Sequence, residues 1–378
     1  MERSERTELL RRLVEWRSET GILTVYVDLD PGDRGSPWRI ALREQLHELE
    51  EQTDPHAERR AFEAAAGEIL ERFPENGAPP EGRGHVGFIE LAEKHPTAVW
   101  RSMQMAPRRT EVTRSAHPYV RPLVELFAEG PHVGAALVSA DRVRLLDWSL
   151  GAIRELDSWE ITLFDQDWRE GKAERAIPGR GTGPSASGHD QFSQRLEANR
   201  RRFLHEVAGL VAGEQSKRSW QDLLVFGAED LPRDFAASVG NGAGPVHIFQ
   251  HDLVSSKESQ VAERVEAEVR EVNTARAMEL VGEIEEAIGA GPGVALGRQE
   301  TLQALAEGRA RHLVFNGERD FERIAPVNLA YDGGREDLPL GERLVQLAVA
   351  TDAAVTPVYE EPASKLDSHE GVAALLRY

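Results

Sequence analysis

The chain has 378 residues, of which 40% are hydrophobic and 29% charged, and this length predicts two or three domains. It contains no cysteine, which excludes disulfides, thiolate zinc sites and cysteine nucleophiles. No apolar run approaches the ~20 residues of a membrane-spanning helix, and the charged N-terminal residues show no secretory signal, so we expect a cytoplasmic protein. The net charge of −20 argues against a general nucleic-acid binder but allows one local basic patch.

The first 128 residues predict an N-terminal α/β domain. Apolar residues at helical spacing alternate here with short apolar runs that end at proline or glycine. The predicted elements are a helix at 3–16, a strand at 22–29, a helical stretch at 37–73 interrupted near 54–55, and strands at 84–90 and 98–103.

Residues 129–255 predict a middle domain. Two apolar runs joined by Ala140-Asp141 indicate a hairpin, and a third run extends it to a meander. The predicted elements are strands at 133–139, 143–148 and 152–159, a glycine-rich loop at 165–191, a helix at 190–211, and strands at 220–226 and 246–249.

Residues 256–378 predict a C-terminal domain in which helices and short buried strands alternate. This alternation favours a parallel-rich sheet sandwiched between helices. The predicted elements are helices at 261–288, 299–307 and 342–351 and strands at 312–315 and 354–358.

The segment from Arg169 to Arg202 combines a long glycine-rich loop with a basic helix. It carries eight basic and four acidic residues, so it is net +4 inside a chain that is net −20. Loops of this length inside compact domains are usually functional or disordered. The segment suits a polyanion contacted end-on, such as a tRNA acceptor stem or ribosomal RNA. The predicted RNA-binding residues are Gly179, Arg180, Gly181, Gly183, Gly188, His189, Arg195, Arg200, Arg201 and Arg202.

The helix that follows the loop has a predicted buried stripe. Phe192, Leu196, Phe203, Val207 and Leu210 fall within roughly a 60° sector at 100° per residue. The arginines lie on its flanks and opposite face. The alternative interpretation is a solvated helix face behind a surface linker, as is usual for charge runs.

The order of hairpin, third strand, glycine-rich loop and arginine-bearing helix resembles the middle domain of archaeo-eukaryotic class I release factors and Pelota. Phe192, the Arg200–Arg202 cluster and Val207-Ala208 stand where the family helix has its phenylalanine, basic residues and Val-Ala pair. The order from Gly293-Val294-Ala295 to Leu313-Val314-Phe315 is similar to the family's C-terminal domain. The closing Gly371–Tyr378 resembles a bacterial branch that includes the Balon-type hibernation factor.

The resemblance implies a fold and partners. The fold is three α/β domains, with an RNase H-like middle domain and an L7Ae-like C-terminal α/β/α sandwich. The implied partners are the ribosome, through ribosomal RNA and peptidyl-tRNA in the A site, and an elongation-factor-type GTPase. No membrane or DNA partner is implied.

The departures from the family pattern bear on activity. No Gly-Gly-Gln occurs in the sequence, and counting back from Phe192 places the family glutamine on Ser187. Ser187 and Gln191 are therefore the candidate catalytic residues, and Gln191 could substitute for the family glutamine only if the loop were spaced differently. Motifs that read stop codons are absent, so we do not expect a codon-specific terminator.

Three hypotheses follow from these departures. The first is a non-hydrolytic factor that occupies the A site in ribosome hibernation or rescue. The second is a peptidyl-tRNA hydrolase that releases peptide from stalled ribosomes. The third is an α/β protein unrelated to translation, since fold alone does not settle function.

We predict no cofactor and no metal. Gly179, Gly181 and Gly183 lack the spacing of a nucleotide-binding loop. His247 and His251 are four residues apart but have no third ligand and fall on a predicted strand and its end.

Overall fold

The computed structural model describes residues 3–29, 36–53, 56–74, 78–92, 96–161, 186–240, 244–290, 293–321, 335 and 337–377, without the side chains of 3, 56–57, 186–193 and 290. These residues form ten α-helices and three β-sheets, so the predicted mixed α/β fold is confirmed. The exact domain boundaries stay a prediction.

The N-terminal sheet is antiparallel, with strand order β3-β2-β1-β4. Its elements are α1 (Arg3–Glu15), β1 (Ile22–Asp28), α2 (Pro37–Glu51), α3 (His56–Arg72), β2 (Gly84–Glu90), β3 (Ala98–Met103), β4 (Glu111–Ser115) and α4 (Arg121–Glu129). Strand β1 is buried on both faces. Leu23, Val25 and Val27 pack against α2 and α3, while Ile22 and Tyr26 point to the opposite face.

The middle sheet is mixed, with strand order β7-β6-β5-β8-β9. Its elements are β5 (Val133–Val138), β6 (Arg142–Ser149), β7 (Ala152–Glu160), α5 (Ala186–Arg218), β8 (Asp222–Gly227), α6 (Leu231–Val239) and β9 (Val246–Phe249). The predicted meander forms the antiparallel side, and β8 and β9 join β5 in parallel. Helices α5 and α6 cover one face of this sheet.

The C-terminal sheet has strand order β10-β13-β11-β12. Its elements are α7 (Glu258–Ala290), β10 (Val294–Leu296), α8 (Gly297–Ala306), β11 (Ala310–Asn316), α9 (Leu340–Ala350), β12 (Ala354–Val358), α10 (Glu360–Leu366) and β13 (Val372–Leu376). Only β11 and β12 pair in parallel. The prediction of a parallel-rich sheet was wrong because β13 inserts antiparallel between β10 and β11.

Helix α7 belongs to two cores. At 33 residues it is about 50 Å long. Val261, Val265 and Val269 in its first half pack on the second face of the middle sheet, whereas Val281 and Ile284 pack on the C-terminal sheet. The middle and C-terminal sheets are therefore connected through one continuous helix.

The N-terminal and C-terminal sheets share one hydrophobic core. Residues of β1, β2, α1 and α4 form a single buried cluster with residues of α8, α9, β11 and β13. Tyr26 and Phe88 contribute from the first part of the chain and Leu302, Leu344 and Val372 from the last. These two parts therefore bury apolar surface against each other.

Residues 118–121 cross this shared core, and Glu342 of α9 holds them. Its carboxylate accepts hydrogen bonds from the backbone N–H groups of Val120 and Arg121 and from the Gln346 side chain, each at 2.8 Å. Val120 has no side-chain oxygen to cap α4, so Glu342 supplies the cap from another part of the chain. Burial raises the pKa of Glu342 to about 7, although these hydrogen bonds lower it.

The raised pKa of Glu342 predicts a pH-dependent stability. A carboxyl whose pKa is higher in the folded state than in the unfolded state binds its proton more tightly when folded. Its contribution is therefore fully present below pH 4.5 and is lost as pH rises through about 7. The loss is on the order of 3 kcal/mol.

Glu342→Gln removes this titration, and we expect a smaller decrease in the free energy of unfolding between pH 5 and pH 8.5 than in the wild type. Chemical denaturation at each pH measures it. Glu279→Gln, at an exposed position of α7, is the matched control. Identical pH profiles for the wild type and Glu342→Gln would contradict the prediction.

Candidate RNA-binding site

The C-terminal half of helix α5 packs on the middle sheet. Its 33 residues span about 50 Å. Leu204, Val207, Ala208 and Val211 are buried in one stripe against the sheet. Leu210, predicted to lie in this stripe, is 54% exposed. That prediction was wrong because the stripe centres near Leu204 and Ala208, and Leu210 lies about 120° away around the helix.

The N-terminal half of α5 projects from the domain. Of residues 194–202, all of which the structure describes, none is buried. Arg195, Arg201 and Arg202 are exposed, and Arg200 is half-buried. Phe203 is the first of the described side chains of α5 that packs against the buried cluster. The 17 residues of α5 that precede it, 186–202, extend for about 25 Å. We call residues 186–202 the arm.

The described side chains of the arm carry a strong positive charge. Four arginines stand against Glu197, which gives residues 194–202 a net charge of +3. Arg201 pairs with Glu197 at 3.3 Å, but its side chain is 80% exposed, and such pairs contribute little. Arg195 and Arg202 share one side, while Arg200 and Arg201 point elsewhere. Positive charge therefore surrounds the arm, and the N-terminal end of the helix dipole adds to it.

The remaining predicted site residues fall into two groups. Gly179, Arg180, Gly181 and Gly183 lie outside the described residues. The predicted loop was too long at its C-terminal end, because α5 begins at Ala186 and includes Ser187, Gly188, His189 and Gln191. The residues of these first turns are mostly small or polar and show no apolar periodicity, so the sequence pattern missed the start of the helix. The side chains of Ser187 and Gln191 lie outside the described residues, and their predicted roles stay predictions.

The C-terminal end of α5 is fixed by a polar cluster that sequence reasoning missed. Asp147 Oδ1 accepts hydrogen bonds from Trp220 Nε1 and His132 Nε2, each at 2.7 Å. Burial raises the pKa of Asp147, but these two hydrogen bonds together with the charges of His132 and Arg218 leave the pKa below its ordinary value. The sequence feature that could have indicated this cluster is Gly134, a glycine inside a predicted strand. A Cβ there would lie 2.2 Å from the Trp220 ring, so only glycine leaves room for it.

A second polar cluster lies on the other face of the middle sheet. Asp222 accepts hydrogen bonds from His247 Nε2 at 3.0 Å and from Arg276 of α7 at 2.7 Å. His247 thus has a structural partner. Within the described part of the chain, no three metal-ligating side chains are grouped to hold an ion, and no helix has the length and apolar character to cross a membrane.

Residues 131–267 match the family model described as bacterial archaeo-eukaryotic release factor family 5. The predicted resemblance to this family is confirmed. The matched range contains the whole middle sheet, all of α5 and the cluster around Trp220, so the arm lies in the part of the chain that matches the family. A comparison with curated proteins finds no match.

Several solved structures are similar to the chain at low identity. The archaeal translation termination factor aRF1 is 19% identical over 100% of this chain and 99% of that chain, with a TM-score of 0.27. Pelota from Archaeoglobus fulgidus is 16% identical over 78% and 79%, with a TM-score of 0.33. Dom34 from S. cerevisiae is 6% identical over 78% and 80%, with a TM-score of 0.43.

The packing of α5 predicts a large loss of stability for one leucine substitution and almost none for another on the same helix. Leu204→Ala removes a side chain that is 7% exposed in the core, and we expect it to cost about 2–4 kcal/mol of unfolding free energy. Leu210→Ala should change stability by less than about 0.5 kcal/mol, because Leu210 is already half exposed. Urea denaturation measures both. Equal losses would show that α5 packs on a different face.

Proposed function

We propose that this protein is a ribosome-associated translation factor that binds the A site without efficient hydrolysis, in ribosome hibernation or rescue. The observation that carries the proposal is the arm. A free-standing basic helix projects from the middle domain of a strongly acidic chain, within the range that matches the release-factor family. Phosphate groups of RNA are the ligands that such a surface attracts.

The acidic remainder of the protein supports a localised contact. With a net charge of −20, most of the surface repels RNA, whereas the arm attracts it. Binding is then restricted to RNA that the arm can reach. A recess of the ribosome suits a projecting helix with arginines on all sides better than a flat duplex does.

The missing Gly-Gly-Gln supports a non-hydrolytic role. In the release-factor family, this motif positions water for attack on the peptidyl-tRNA ester, and the corresponding residue here is Ser187. The alternative is a peptidyl-tRNA hydrolase that uses Gln191. The position of Gln191 in the first turns of α5, directly after the glycine-rich segment, is the observation that favours it.

An elongation-factor-type GTPase is the delivering partner that we propose from the family resemblance, and the cytoplasm is the proposed location. The yeast Dom34 structure is described as that of a factor interacting with Hbs1, which is a property of that protein.

Reversing the charge of the arm should weaken ribosome binding. For Arg201→Glu/Arg202→Glu we expect an affinity reduced about tenfold or more at low salt, because two phosphate contacts are lost. The slope of log affinity against log salt should become shallower by about two. Co-sedimentation with purified bacterial ribosomes across a salt series measures both quantities.

The matched control is Lys217→Glu/Arg233→Glu, which makes the same change in net charge at exposed positions away from the arm. This control should bind like the wild type. If both double variants lose the same affinity, net charge rather than the arm determines binding. If the wild type does not bind ribosomes, the proposed function is wrong.

The two hydrolysis hypotheses differ in a peptide-release experiment. From a defined peptidyl-tRNA–ribosome complex, we expect the bound wild type to release no peptide above background, because the glutamine of the family motif is absent. Release by the wild type that disappears in Gln191→Ala would favour the hydrolase instead. Release that persists in Gln191→Ala would exclude Gln191 as the catalytic residue.

A further inference from the structure

An arm that projects about 25 Å needs something to fix its direction. The apolar contacts of Leu204, Val207, Ala208 and Val211 hold the packed half of α5 on the sheet, but hydrophobic contacts are non-directional. A tilt of about 10° near Phe203 would move the first turn of α5 by about 4 Å. Contacts to RNA phosphates tolerate much smaller displacements, so the orientation of α5 matters for the proposed function.

The directional contacts lie immediately after the C-terminal end of α5. Ser219 has a positive φ of 53°, which reverses the chain after the helix. The reversal places the ring of Trp220, which is 2% exposed, directly against Gly134 of β5. The Trp220 backbone N–H donates to the Gln215 carbonyl of α5 at 3.3 Å. Trp220 is thus bonded to the helix through its backbone and packed against the sheet through its indole ring.

Two strands hold the indole in this position. Asp147 of β6 accepts a hydrogen bond from Trp220 Nε1–H, with 2.7 Å between the nitrogen and Oδ1, and His132 donates to the same carboxylate oxygen. His132 also packs edge-to-face against Trp220, with ring centroids 6.5 Å apart, and its carbonyl accepts the Gln221 N–H at 2.8 Å. The glycine slot limits tilt of the ring and the hydrogen bond limits its rotation.

We propose that Trp220, Asp147 and His132 are positioning residues that set the direction in which the arm projects. The proposal rests on the proposed function in one respect, namely that the arm is the part that contacts ribosomal RNA. The cluster lies at the opposite end of α5 from the arm and acts through the helix. Its loss should leave the fold intact and broaden the range of arm orientations.

The experiment measures a distance in the free, full-length protein. Because the chain has no cysteine, Gln194→Cys in the arm and Ala237→Cys on α6, both exposed, take two spin labels without background. Double electron–electron resonance then gives the distribution of arm-to-domain distances. In the otherwise unchanged chain we expect one narrow distribution.

The informative variants alter the indole contact and keep the core. For Trp220→Phe, which retains an aromatic ring but loses the Nε1 donor, we expect the distribution to broaden or shift by about 2 Å, because Gln194 lies nine residues from Phe203 and a tilt of about 10° there moves it by this amount. Asp147→Leu should do the same. Asp147→Asn keeps an acceptor oxygen of the same size and should restore a distribution close to that of the wild type.

The control separates positioning from stability. Val265→Ala on α7 opens a cavity on the opposite face of the middle sheet, so it lowers the melting temperature without contacting α5. Its distance distribution should remain narrow. If Trp220→Phe gives the same distribution as Val265→Ala, the cluster is merely structural and the proposal is wrong.

Ribosome binding of the same variants links the cluster to function. Trp220→Phe should reduce affinity several-fold, and Asp147→Asn should not. The two proposals can fail separately, because the distances are measured without ribosomes. A wild type that does not bind ribosomes refutes the proposed function only, whereas unchanged distances refute the positioning role only.

Discussion

The arrangement of the N-terminal and C-terminal sheets depends on the hydrogen bonds made by residues 118–121. Thr24 and Tyr26 of β1 bond the backbone N–H and carbonyl of Tyr119 from one side. From the other side, Glu342 and Gln346 of α9 bond its neighbours. A buried backbone group without a partner costs about 1–3 kcal/mol, so separating either sheet from this segment would destabilise the protein. The N-terminal and C-terminal sheets therefore behave as one body, and α7 attaches the middle sheet to it.

Against this body, α5 shows a gradient of local stability. Its C-terminal half is held by a buried stripe and by the Trp220 cluster, whereas none of the described side chains of the arm, residues 194–202, is buried. An isolated helix of about this length is marginal in water, so the arm depends on continuity with the packed half for its helical structure.

Local pattern predicted most of the elements, and tertiary partners decided what it missed. The strands at 84–90, 98–103, 246–249 and 354–358 have the predicted bounds, because apolar runs that end at turn residues identify strands without tertiary knowledge. The antiparallel insertion of β13 depends on which neighbours it meets. The cap that Glu342 provides depends on a helix that follows Val120 by 222 residues. In the candidate site, the basic residues were predictable from charge alone. The positions of Leu210 and Trp220 required knowing which face of α5 meets the sheet.

The shared core also has a consequence for biosynthesis. Tyr26 and Phe88 on one face of the N-terminal sheet are covered by residues such as Leu302 and Val372, which follow more than 200 residues later in the chain. At 5–20 residues per second, Leu302 is made roughly 15–55 s after Tyr26. Throughout that interval the nascent sheet presents an uncovered apolar face, which is the kind of surface that aggregates or recruits chaperones. Residues synthesised late in this chain thus complete a core whose first face is exposed from an early stage of synthesis.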